Sequence, residues 1–67
     1  MADIKYSRHA RLRMVERGIS EREVSAAIRK GRKIVKGRQV HAVYRHIEVA
    51  LKKAGGDWYV ITVMLRW

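Results

Sequence analysis

The chain has 67 residues and no cysteine, which leaves room for one small core and excludes a disulfide framework or a cysteine-based metal site. Its 16 Lys+Arg against 6 Asp+Glu give a formal net charge of +10, spread as ten basic and four acidic side chains in residues 1–33 and six and two in residues 34–67. A compact basic domain of this kind points to nucleic acid or an acidic protein as partner, while no apolar run is long enough to span a bilayer.

Asp3 to Tyr6 reads as a short extended segment. Ser7 is a good N-cap, and Arg8 to Arg17 is predicted to be a helix closed by Gly18, with Ala10, Met14 and Val15 as its apolar side and Leu12 half exposed. Ser20-Glu21-Arg22-Glu23 is a capping box that opens a second helix. Val24, Ala27 and Ile28 form its apolar face, Ile19 is placed to staple onto Val24, and Gly31 ends it. From Arg32 the hydrophobic period changes from 3.6 to 2. Lys33 to Lys36 is a short strand and Gly37-Arg38 a turn. Val40, Ala42 and Tyr44 then alternate with His41, Val43 and Arg45 in a half-buried strand, and His46 sits at the following bend. Ile47, Val49 and Leu51 alternate with Glu48, Ala50 and Lys52, and Ala54-Gly55-Gly56-Asp57 is a hairpin loop. Trp58 to Trp67 is the longest apolar run and is expected to be a central strand covered on both faces. The expected fold is α+β in one domain, 1–67: two N-terminal helices packed on a three- or four-stranded antiparallel sheet.

The most chemical feature is the repeat of His9, Arg13 and Arg17 at i, i+4 and i+8. On a helix, successive members are rotated by only about 40°, so an imidazole and two guanidinium groups stack along one face. Arginine keeps its charge at every physiological pH and histidine can exchange a proton near neutrality, which suits holding a phosphate and moving a proton beside it. Metal-independent RNA cleavage needs removal of the 2′-hydroxyl proton, stabilisation of charge on the phosphate and protonation of the leaving 5′-oxygen. His9 is the candidate acid or base, with Arg13 and Arg17 as the catalytic phosphate clamp. The plainer alternative is a solvated helix face with the arginines paired to Glu16 or Glu48. His41, Tyr44, Arg45, Lys52, Tyr59 and Arg66 are candidate RNA-binding residues on the strands, although Tyr44 shares a face with Val40 and Ala42 and also reads as core. Trp58 and Trp67 read as core or interface aromatics.

No metal ligand set and no cofactor are expected, since three histidines and six scattered carboxylates lack zinc or calcium spacing. Ser7, Ser20 and Ser25 lack the strand–turn–helix setting of a nucleophile, and Gly55-Gly56 is too short for a phosphate loop. Residues 1–6 do not read as a signal peptide, so cytoplasmic residence is the default expectation. Asn, Pro and Phe are also absent and Gln39 is the sole glutamine, a composition in the direction of heat-adapted proteins.

The words His9-Ala10-x-x-Arg13-Met14-x-x-Arg17-Gly18-Ile19-Ser20 resemble a family of small uncharacterised proteins, the DUF4258 domain. In outline, two short helices before a curled basic sheet are similar to the RelE/ParE superfamily of toxins and to the BrnT toxins. The Gly31 break and the late Val60-Ile61-Thr62-Val63 strand extend the likeness to nearly the whole chain. That resemblance implies a toxin-like endoribonuclease acting on free or ribosome-bound RNA and neutralised by an acidic antitoxin. A non-catalytic nucleic-acid-binding or regulatory module and a homodimer completed through the last strand are the other expectations. Convergence of His9 with His41 or Tyr59 in one cleft favours the enzyme; their separation favours the binder.

Overall fold

A computed structural model describes residues 3–66. The chain runs β1 (Ile4–Tyr6), α1 (Arg8–Arg17), α2 (Glu21–Lys30), β2 (Arg32–Lys36), β3 (Gln39–Tyr44), β4 (Ile47–Ala54) and β5 (Asp57–Leu65). The α+β class and both helices are as expected, but among the described residues the sheet has five strands in the order β1-β5-β4-β3-β2 and is mixed. Strands β2 to β5 form antiparallel pairs, whereas β1 lies parallel to β5 with Ile4, Lys5 and Tyr6 opposite Trp58, Tyr59 and Val60. The added strand is the short segment before the first helix. Its Ile4 and Tyr6 both pack against the core, and pairing with β5 satisfies backbone groups that would otherwise lie bare beside it.

Ser7 then ties the start of α1 to the same strand. Its amide donates to Val60 O at 3.0 Å, its hydroxyl donates to Ile61 O at 2.8 Å, and the same oxygen accepts from the Ala10 amide at 3.0 Å. Gly18, at φ 66, turns the chain out of α1, with the Ile19 amide donating to Met14 O at 2.8 Å in a Schellman arrangement. The capping box of α2 is formed: the Ser20 amide donates to Glu23 Oε1 at 3.0 Å and the Glu23 amide to Ser20 Oγ at 3.1 Å.

Ala42, Val49 and Val63 lie side by side across β3, β4 and β5 and share one core with Ala10 and Met14 of α1 and Val24, Ala27 and Ile28 of α2. Both helices therefore cover one face of the sheet. Leu51, Val24, Val49, Val60 and Val63 are the largest fully buried side chains, each contributing about 1.5–3 kcal/mol by leaving water. Two expectations change. The strand from Trp58 is next to the sheet's edge strand β1 and is covered by helices on one face only, with Val60 and Val63 as its buried residues. Val15 does not join the apolar side of α1; it is 81% exposed, because α1 lies over β5 and touches the sheet by a narrow stripe. Ile19 and Val24 both enter the core, Leu12 is exposed, and Trp67 lies outside the described residues.

Candidate nucleic-acid interface

Strand β1 ends at Tyr6, and Ser7 donates hydrogen bonds to β5 just beyond it, at Val60 O and Ile61 O. From Thr62 to Leu65, β5 keeps β4 on one side and has no strand on the other among the described residues. A cleft of about 490 Å³ opens there, and its lining is His9, Arg13 and Arg17 together with Thr62, Val63, Met64 and Leu65. Successive strand residues point to opposite faces of a sheet. Four consecutive residues lining one cleft place it at the strand's edge, with main chain as its floor and the histidine–arginine stripe of α1 as its wall. The stripe rises about 12 Å from His9 to Arg17, close to the roughly 10 Å between Thr62 and Leu65.

The stripe thus converges on a hollow, and among the described residues no carboxylate lines it. Within it, Arg13 Nε donates to His9 Nε2 at 3.5 Å, at the long limit of a hydrogen bond, and Arg13 Nη1 reaches Glu16 Oε1 at 3.4 Å. The expected arginine–Glu16 pair is therefore present for Arg13, on an exposed surface where such a pair is worth little. Arg17 pairs with no carboxylate among the described residues.

The remaining candidates divide into two places. His41, Lys52, Tyr59 and Arg66 lie on or beside the sheet face that the helices leave open, where His41 stands opposite Ala50 and Lys52 opposite Tyr59. His41 Nδ1 donates to Glu48 Oε2 at 2.5 Å, and Arg66 Nη1 lies 3.6 Å from Glu48 Oε1. Hydrogen bonding from His41, aided by the positive charge of Lys36 and Arg66, holds the Glu48 carboxyl below its ordinary range despite partial burial. Lys52 Nζ sits 5.5 Å from the Tyr59 ring centre. Tyr44, by contrast, lies on the helix side, packed against the core, with the Arg45 guanidinium 5.4 Å from its ring centre. These two line a smaller hollow of about 170 Å³ with Arg22, Glu23 and His46. Neither His41 nor Tyr59 lines the cleft that holds His9.

A family profile described as "Domain of unknown function (DUF4258)" matches residues 6–65. The chain belongs to the DUF4258 family. No curated protein and no solved structure matches it.

In this DUF4258 chain two features of the site escape a reading of the sequence. Glu48, expected as a partner of Arg13 or Arg17, instead holds His41 and Arg66, and its signal is a lone acid on the polar side of an alternating strand. The open edge at Thr62–Leu65 follows from the pairing of a three-residue strand with a nine-residue one. Strand lengths hint at such a mismatch, but only the register says which end is left bare. Among the described residues no helix is long and apolar enough to cross a membrane.

Proposed function

We propose that this DUF4258 domain binds single-stranded nucleic acid, gripping the phosphodiester backbone with Arg13 and Arg17 at the α1–β5 cleft, and that binding is its activity. The observation that carries the reading is the cleft itself: two permanent cations and an imidazole along one wall, with no carboxylate in the lining among the described residues. Lys52, Tyr59 and Arg66, on or beside the open sheet face, add positive charge and one aromatic ring where a strand leaving the cleft can continue. The RelE/BrnT-like endoribonuclease reading asks for two proton carriers about one phosphate, and the cleft lining has one imidazole, His9, whose Nε2 is engaged by Arg13. Separation of His9 from His41 and Tyr59 supports binding over cleavage.

The test is fluorescence anisotropy with a labelled single-stranded RNA across a salt series, run beside a cleavage assay of free and ribosome-bound RNA in EDTA. Intact RNA and an affinity that falls with salt are expected. Two phosphate contacts give a log–log slope of about −1.4, and Arg17→Ala is expected to reduce it by about 0.7. Salt-indifferent or absent binding would remove nucleic acid as the ligand. RNA cut by the native protein and spared by a folded His9→Ala variant would establish the nuclease instead.

A further inference from the structure

The floor of the cleft is main chain, and main chain offers acceptors as well as donors. The Arg66 amide donates to His46 O on the β4 side at 2.7 Å. Antiparallel pairing alternates along a strand, so Met64 and Thr62 also face β4, opposite Glu48 and Ala50. Val63 and Leu65 therefore turn their N–H and C=O groups to the other edge, into the cleft. A phosphate can accept from those amides, but it repels the carbonyls between them. An extended polypeptide satisfies both.

The wall selects the side chains. In a strand laid along Thr62–Leu65, every second residue falls on the helix side, beneath His9, Arg13 and Arg17. Carboxylates at those positions meet guanidinium groups in charge-assisted hydrogen bonds, and an arginine with a second carboxylate in reach is not confined to Glu16. The intervening residues fall on the open face beside Thr62 and Met64, where apolar or β-branched side chains fit. A second copy of this chain would bring its own Arg13 and Arg17 against these two, which charge repulsion disfavours for a chain of net charge +10.

We propose that an acidic, extended peptide segment of a partner protein adds to the Thr62–Leu65 edge as a sixth strand, with its carboxylates on Arg13 and Arg17. The docking stands without the nucleic-acid reading; its consequence, closure of the cleft to RNA, rests on that reading.

The probe is a labelled nine-residue peptide alternating glutamate with valine or threonine. Its controls are oligoglutamate of equal charge and the same peptide N-methylated at alternate residues. Binding is read by anisotropy, and the edge by amide exchange of Val63 and Leu65. The alternating peptide is expected to bind and to slow exchange at both amides, and the N-methylated form to bind about tenfold more weakly or worse. Arg13→Ala and Arg17→Ala should each weaken binding about three- to tenfold. Equal binding of oligoglutamate without amide protection would overturn the proposal, since charge alone would then suffice. So would concentration-dependent protection in the free protein, which would assign the edge to a second copy. RNA that binds and protects the amides while the peptide does not would also overturn it and leave the nucleic-acid reading standing. The peptide binding where RNA does not would sink that reading and keep this one.

Discussion

Glu48 carries the clearest titration consequence in the molecule. Its carboxyl accepts from His41 and lies beside Arg66, so its folded pKa sits below the ordinary value of 4.5. A depressed carboxylate contributes stability that is complete above about pH 4.5 and disappears as pH falls through the lowered folded value. Glu48→Gln is expected to lose about 1 kcal/mol at neutral pH and to show a flatter dependence of Tm on pH below about 4.5. Melting curves across the acid range measure both; an acid limb identical to the native one would mean the pair contributes nothing. At the same scale, the i, i+4 spacing of His9, Arg13 and Arg17 showed that they share a helix side, because that follows from helix geometry alone. It could not show which of the two arginines Glu16 would hold, or that His41 and His9 would stand in separate places. Those are outcomes of rotamers and of strand register.

At the level of elements, the glycines are not equivalent. A Cβ on Gly31 would meet Val43 O at 2.7 Å and the Ala27 carbonyl more closely still, so the end of α2 and strand β3 approach each other through this residue. Gly31→Ala is expected to cost about 1–3 kcal/mol, because two backbone segments must separate to admit one methyl group. Gly56, with nothing within 4 Å and no positive φ, is the matched control, and Gly56→Ala should be near neutral. Chemical denaturation of the two variants decides; equal losses would mean that the close approach carries no special cost. Both helices are legible from their caps and periods, β2 to β4 from the change of period and alternation, and β5 from its long apolar run, since those signals are local. The sequence marks β1 as extended but not as paired. Three residues have too little pattern to name a partner, and a parallel partner more than fifty residues away in sequence leaves no turn signal between them.

Across the whole molecule the excess positive charge sits on a single small core. Self-repulsion of this kind weakens the compact state at low ionic strength and is screened by salt. Raising sodium chloride from about 20 mM to about 500 mM is expected to raise Tm by about 2–6 °C. A Tm that falls with salt would mean that local ion pairs outweigh net repulsion. The same screening should weaken RNA binding, so stability and affinity are expected to move in opposite directions along one salt axis. Charge, helix starts and stops, the stacking of one imidazole with two guanidinium groups, and membership of the α+β class are all written within a few neighbouring residues, and so they could be read without coordinates. Which edge of β5 stays bare, that the stripe overhangs that edge, and that Glu48 gathers His41 and Arg66 depend on pairings between distant segments. Those pairings are settled by burial of a shared apolar face and by hydrogen-bond register, quantities that exist only once the chain has closed on itself.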